Sequence, residues 1–207
     1  MTKISDIINE GEYKNSLTRK RQFKADCSPE LFKDLFVTST ELYMYGSSYI
    51  VDKDNKEVIN QLYYYLIGSD KFKGDLLKGI ILMGAIGNGK TVILETFLDV
   101  MFEVANKIVL RLHSKDVSKV LQENVIGYLN KRPLFIDDMG KEQEMIKNYG
   151  TIEHPMEDLF SERYKNFALT FATSNYKFED MKYSNHMIDR MKQMFNIIVL
   201  PGKSRRA

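Results

Sequence analysis

The octet Gly84-Ala85-Ile86-Gly87-Asn88-Gly89-Lys90-Thr91 limits this chain more than any other stretch. It follows the apolar run Gly79-Ile80-Ile81-Leu82-Met83 and precedes an amphipathic segment that starts at Val92. That order predicts a strand, a glycine loop and a helix. A GxxxxGK[ST] loop needs its glycines because the backbone must wrap closely round phosphate oxygens and present N–H groups that a Cβ atom would obstruct. In such a loop Lys90 reaches the β- and γ-phosphates and Thr91 can ligate Mg²⁺. The octet and the adjoining Val92 are therefore the candidate nucleotide-binding residues. A glycine-rich turn with a solvated lysine is the plainer alternative, and the flanking strand and helix weigh against it.

The bulk properties narrow the class. A chain of 207 residues accommodates one α/β domain of about 150 residues with an appendage, large enough to fold without staples. Cys27 is the single cysteine, which excludes an intramolecular disulfide and a cysteine-rich zinc site and fits a reducing cytoplasm. His113, His154 and His186 lack ligand spacing. No apolar run approaches the ~18 residues of a membrane span, and the polar start at Met1-Thr2-Lys3 lacks the apolar core of a secretory signal, so a cytoplasmic location is expected. Lys and Arg number 30 against 28 Asp and Glu; this near balance is not that of an obvious polyanion binder. The basic clusters Arg19-Lys20-Arg21-Gln22-Phe23-Lys24 and Lys203-Ser204-Arg205-Arg206 read most simply as solvated surface.

The first 28 or so residues are polar and poorly periodic, which predicts a mobile or partner-ordered arm. Ser28 and Pro29 are suited to the N-cap and first position of a helix whose stripe would be Leu31, Phe32, Leu35, Phe36 and Leu42. A second helix is expected from about Lys56 to Ile67, stopped by Gly68. Its Tyr63-Tyr64-Tyr65 run could stack on a base, but covering a helix–sheet seam is the commoner role. Beyond Leu77, strands are expected at Gly79–Met83, Ile108–Leu112, Leu134–Asp137, Ala168–Thr173 and Asn196–Leu200. The helices expected between them lie at about Lys90–Ala105, Lys115–Leu129, Pro155–Asn166 and Asn185–Phe195. Near-continuous apolar strands alternating with helices predict a doubly wound, five-stranded parallel sheet that binds ligands at its strands' carboxyl ends.

Two further strand ends carry chemistry. Leu134-Phe135-Ile136-Asp137-Asp138 ends in two acids; Asp137 would hold the Mg²⁺ shell and Asp138 could orient and deprotonate an attacking water. The plain alternative is a turn into Met139-Gly140. Leu169-Thr170-Phe171-Ala172-Thr173-Ser174-Asn175 ends in small polar residues, where Asn175 can bond the water or the γ-phosphate or simply close an Asx turn. Arg190, in Met187-Ile188-Asp189-Arg190-Met191, has the planar fork suited to spread phosphoryl charge. A surface arginine paired with Asp189 fits the same spacing.

Taken in order, the segments Lys78 to Thr91, Phe135 to Gly140, Ser161-Glu162-Arg163-Tyr164, Thr173-Ser174-Asn175, Ile188-Asp189-Arg190-Met191 and Gly202-Lys203-Ser204-Arg205 closely resemble the AAA+ ATPases of the DnaC helicase-loader and IstB transposition-helper group. The resemblance spans roughly residues 50 to 206. It implies a P-loop NTPase domain over 51–207 and a helical, partner-binding extension over 1–50. By the same resemblance Lys90 and Thr91 bind ATP and Mg²⁺, Asp137 and Asp138 form Walker B, and Asn175 is sensor I. Arg190 matches the arginine finger that acts on ATP held by a neighbouring subunit, Arg205 matches sensor II, and Arg163 falls in an Arg-Tyr pair whose role is open. This chain departs from the group in having Asp138 where glutamate is common, in ending at Ala207 without a helical lid, and in lacking cysteines for an N-terminal zinc segment. The function implied is an ATP-hydrolysing, homo-oligomeric switch acting with single-stranded DNA and a replicative helicase as a loader, or with a transposase as a helper. A small nucleoside or nucleotide kinase is the competing enzyme; the absence of an arginine cluster between Lys141 and Gly150 disfavours it. A non-hydrolysing ATP-bound scaffold is the third reading.

Overall fold

The computed structural model describes residues 24–122, 126–142, 145–148 and 151–205. Most of the expected N-terminal arm, the basic cluster from Arg19 to Phe23, and Arg206 lie outside these residues. Helix α1 (Pro29–Tyr43) starts as expected, the Ser28 hydroxyl accepting from the Leu31 N–H with Pro29 at the first position. Its buried face is narrower than the expected stripe. Phe32, Phe36 and Thr40 are buried while Leu31 and Leu42 are exposed. The inward line runs i, i+4, i+8, and Leu31 and Leu42 fall about 100° and 200° round the helix from it. Helix α2 (Lys56–Ile67) ends where Gly68 takes a left-handed conformation, φ 67°. Tyr65 is fully buried and donates to the Lys78 carbonyl, and Tyr63 donates to that of Cys27. The tyrosine run thus serves packing, as the commoner reading had it.

The sheet begins with β1 (Gly79–Gly84), followed by α3 (Lys90–Ala105), β2 (Leu110–His113), a 3₁₀ turn at Ser114–Asp116, α4 (Val117–Gln122), α5 (Ile126–Leu129) and β3 (Leu134–Met139). A short antiparallel pair, β4 (Ile146–Asn148) and β5 (Thr151–Glu153), precedes α6 (Pro155–Lys165), β6 (Thr170–Ser174), a 3₁₀ turn at Phe178–Asp180, α7 (Asn185–Met194) and β7 (Phe195–Leu200). The five-stranded sheet runs β2-β3-β6-β1-β7, and all its pairings are parallel. The predicted doubly wound α/β architecture is therefore present. Two expectations need correcting. The helix expected from Lys115 begins only at Val117, and the described residues of the Lys115–Leu129 stretch carry α4 and α5. A 3₁₀ turn precedes α4 because the His113 ring accepts from the Lys115 N–H. The β4–β5 pair was not expected, since strands of three residues are too short for alternation to register.

Alternation along β1 divides the core. Ile80 and Leu82 face α1, α2 and α3 with Phe36, Leu62, Tyr65, Phe97 and Phe171. Ile81 and Met83 face α6 and α7 with Ile136, Leu159, Phe160 and Met191. Burial on both faces is what makes the strands read as unbroken apolar runs. The register then levels the carboxyl ends: Gly84 lies beside Leu200, Met83 and Met139 beside Ser174, and His113 beside Asp137. Candidate residues far apart in sequence are thereby delivered to one edge.

Arg163 has a structural role here. The side chain is fully buried and donates to Thr170 Oγ1 at 3.1 Å, to the Leu169 carbonyl at 2.7 Å, to that of Arg132 at 3.0 Å, and to that of Leu129. It ties the end of α5 and the turn before β3 to the start of β6. Burial pushes the guanidinium down to about 9, so it remains protonated at neutral pH. Lysine carries the charge but not the fork. Arg163→Lys is expected to leave at least one buried carbonyl unpaired and cost about 2–3 kcal/mol, read as a lower urea midpoint at unchanged slope.

Candidate active site

The loop between β1 and α3 passes so close to β7 that a Cβ on Gly84 would sit 2.3 Å from the Leu200 carbonyl oxygen. Gly89, immediately before α3, adopts φ 97°, the left-handed region that glycine enters without penalty. The loop is pinned from below by Asn88, fully buried, which donates from Nδ2 to that same Leu200 carbonyl at 2.8 Å. Lys90, 5 % exposed, folds back over the loop. Its Nζ lies 2.9 Å from the Gly84 carbonyl, 2.7 Å from that of Ala85, 3.2 Å from Asn88 Oδ1 and 2.9 Å from Asn175 Oδ1. The ammonium is thus centred in the loop at the start of a sixteen-residue helix, where N–H groups and helix dipole favour an anion.

The strand ends close round it. Thr91 Oγ1 donates to Asp137 Oδ1 at 2.9 Å, and Thr173 Oγ1 donates to the same oxygen at 2.5 Å. A hydroxyl against a carboxylate is a hard-oxygen donor set of the kind Mg²⁺ takes, so Thr91 and Asp137 fit that ion. Asp138 sits at φ 57°, uncommon for a residue with a side chain and typically costing about 1–2 kcal/mol. It is held there on both sides, its N–H donating to Thr173 Oγ1 at 2.9 Å and its carbonyl accepting from Ser114 Oγ at 2.8 Å. The β3–β6 register shifts between Ile136 and Met139, so the second acid stands in a bulge. This aims it differently from Asp137. Asp138 Oδ1 accepts from Asn175 Nδ2 at 3.3 Å, and Oδ2 pairs with Lys141 Nζ at 2.7 Å, with His113 Nε2 at 3.8 Å.

These groups line a cavity of about 650 Å³, within the range of ligand pockets. Ile86, Gly87, Gly89, Lys90, Thr91 and Val92 form its floor, with Asp137, Asp138 and Asn175 at one end. Gly84, Ala85 and Asn88 are not among the lining residues; they brace Lys90 instead. Sequence reasoning missed the opposite wall, Met44, Ser48, Tyr49 and Ile50, and it missed Lys141. Buried Asn55 shapes that wall, donating to the Tyr49 hydroxyl at 3.1 Å and the Ile50 carbonyl at 2.9 Å while accepting from the Asp52 N–H at 2.9 Å. Burial pushes the Tyr49 phenol up to about 12, so it stays neutral. No motif marks these residues. The available signal was the Asp-x-x-Asn turn at Asp52 to Asn55, which fixes the loop ahead of α2.

Arg205 also lines the cavity. Its N–H donates to the Gly87 carbonyl at 2.9 Å, and its guanidinium grips Asp52 at 2.7 and 3.0 Å. The hydrogen-bonded guanidinium holds the Asp52 carboxyl down at about 2. One residue thereby joins the tail after β7, the loop and the wall. Arg190 is placed elsewhere. On α7 it donates to Ser161 Oγ at 3.1 Å and lies over the Tyr164 ring at 5.3 Å, while Asp189 accepts from Gln193. It is not paired with Asp189, nor does it line the cavity.

No protein-family model and no curated protein matches the chain. Solved structures do match it. The DnaI crystal structure superposes with a TM-score of 0.57 at 19% identity, over 84% of this chain and 93% of that one. A DnaC helicase loader gives 0.53 at 17% identity, over 82% and 99%. The replication initiator DnaA bound to AMPPCP and single-stranded DNA gives 0.54 at 14% identity, over 75% of this chain and 49% of that one. The chain has the fold of the DnaI and DnaC helicase-loader structures.

Proposed function

We propose that this chain is an ATP-hydrolysing switch that assembles with copies of itself on single-stranded DNA and acts as a loader of a replicative helicase. The observation that carries the ATPase reading is the convergence of Lys90, Thr91, Asp137, Asp138 and Asn175, from three strand ends, in one cavity with an apolar wall. Lys90 and the loop N–H groups bind the β- and γ-phosphates, and the wall of Met44, Tyr49 and Ile50, with Ile86 of the floor, takes the base. Thr91 and Asp137 would hold Mg²⁺, which neutralises charge on the phosphates when bound. Asp138 orients a water and takes its proton as the oxygen attacks the γ-phosphorus, the bond to the β–γ bridging oxygen breaks and ADP and inorganic phosphate result; Asn175, bonded to both Lys90 and Asp138, positions the γ-phosphate against it. Arg190 serves the neighbouring subunit's nucleotide, and Arg205 closes the tail over the loop.

The loader reading is supported by near-complete coverage of DnaI and of the DnaC helicase loader, and the DNA reading by the DnaA structure that holds AMPPCP and single-stranded DNA. Among the described residues no helix is long and apolar enough to cross a membrane. The test is phosphate release with Mg²⁺ and ATP, with and without single-stranded DNA, alongside sedimentation. Turnover that rises with protein concentration and with DNA is the expected outcome. A protein that stays monomeric and releases no phosphate in either condition overturns the proposal.

A further inference from the structure

Lys141 has no place in the sequence motifs, yet it stands at the reacting end of the cavity. Its ammonium lies 2.7 Å from Asp138 Oδ2, while Asn175 occupies Oδ1 of the same carboxylate and also meets Lys90. Lys90, Asn175, Asp138 and Lys141 therefore form one polar chain with a cation at either end. The pair is not a loose surface contact. Lys141 is 29% exposed and Asp138 26%, and Lys141 lines the cavity. The turn that carries it is fastened twice: the Lys141 N–H donates to the Asp138 carbonyl at 3.2 Å, and Glu142 accepts from the Gly140 N–H at 2.8 Å and from the Tyr183 hydroxyl.

Given the reading of this cavity as a Mg²⁺-nucleotide site, we infer that Lys141 is a positioning residue that senses the γ-phosphate and holds Asp138 until that phosphate arrives. With Oδ1 bonded to Asn175 and Oδ2 to Lys141, the carboxylate of Asp138 is held in place by groups of its own subunit. An ammonium has three donors, and a terminal phosphate brings more charge and more acceptor oxygens than one carboxylate, so a triphosphate draws Lys141 away and frees Asp138 Oδ2. A diphosphate lacks the group that would do this. Lys141 thus makes the site tell ATP from ADP and links that distinction to the release of the acid.

The test measures affinity, independent of turnover. Dissociation constants for AMPPCP and for ADP, each with Mg²⁺, are determined by calorimetry for the wild type, Lys141→Met, Lys141→Arg, Asp138→Asn and the Lys141→Met/Asp138→Asn double variant. Lys141→Met should weaken AMPPCP about tenfold and leave ADP within about twofold, and Lys141→Arg should recover part of the loss. Asp138→Asn, which removes the competitor for Lys141, should tighten AMPPCP. That gain should be at least about threefold smaller in the Lys141→Met background. An unchanged AMPPCP-to-ADP ratio in Lys141→Met, or strict additivity in the double variant, overturns the inference and leaves the nucleotide site standing. Failure of the wild type to bind either nucleotide at millimolar concentration overturns both.

Discussion

Replacing Arg190 with alanine should lower ATP turnover by about 10³ or more while leaving nucleotide affinity nearly intact. The expectation rests on where the side chain is. Arg190 is bound to Ser161 and lies over Tyr164, and it is not among the residues that line its own cavity. Its loss therefore removes nothing from nucleotide binding in the same subunit. The helix that carries it is securely started, Ser184 accepting from the Met187 N–H, and its inner face of Met187, Met191 and Met194 is buried, so the alanine variant should fold. A guanidinium fork delivered to a neighbour's γ-phosphate acts only as charge spreads in the transition state, which is why the effect falls on turnover. Mixing Arg190→Ala with Asp138→Asn separates action in trans from action in cis. Each variant alone is inactive for a different reason. In a one-to-one mixed assembly, on the order of a quarter of interfaces would pair an intact Asp138 with an intact Arg190 from the other variant. Recovered activity is the expected result, and a mixture as dead as its components would refute an arginine supplied across the interface.

The parts of this molecule legible in the sequence are those that backbone sterics dictate locally. The glycine spacing of the loop, the apolar strands covered on both faces, and acids or amides at strand ends each leave a local signature. Lys90, Thr91, Asp137, Asp138 and Asn175 could thus be brought together before any coordinates. Element edges were less legible where tertiary pairing decides them. The second strand begins at Leu110, not Ile108, because Asn106 turns left-handed after α3 and Ile108 is left exposed, with β2 pairing only with β3 among the described residues. The wall of Met44 to Ile50 was illegible because these residues reach the site through the packing of α1 on α3, where Ser39 donates to Asp99. Lys141 was illegible because its meaning depends on the left-handed backbone of Asp138, a conformation that an aspartate at a strand end does not announce. Arg163 reads as part of a family motif, yet its four acceptors come from three separate segments and make it a brace.

Lys90→Ala should weaken Mg²⁺-nucleotide binding by about 10²–10³ and abolish measurable turnover. The side chain stands at the centre of the loop in a nearly closed setting, and a charge-assisted contact to phosphate lost there corresponds to roughly 3–4 kcal/mol. The effect on the protein alone should be smaller. Four oxygens lose a neighbour, but Ala85 is exposed and Gly84 half-buried, so water can replace part of the bonding and the cost should be about 1 kcal/mol. Asn88 keeps its bond to the Leu200 carbonyl and should preserve the path of the loop. Thermal unfolding distinguishes the two effects in one experiment. Nucleotide at about a hundred times its dissociation constant adds roughly 2.7 kcal/mol to the wild type. The same concentration should add almost nothing to Lys90→Ala, whose melting point without nucleotide should nevertheless lie close to that of the wild type. Lys90→Arg provides the control on charge: a planar fork cannot converge on the oxygens that a single Nζ now reaches, so arginine should recover little of the binding. If the alanine variant bound nucleotide within about threefold of the wild type, the ammonium would not be a phosphate ligand, and the cavity would have to recognise its ligand through the wall and Arg205 alone.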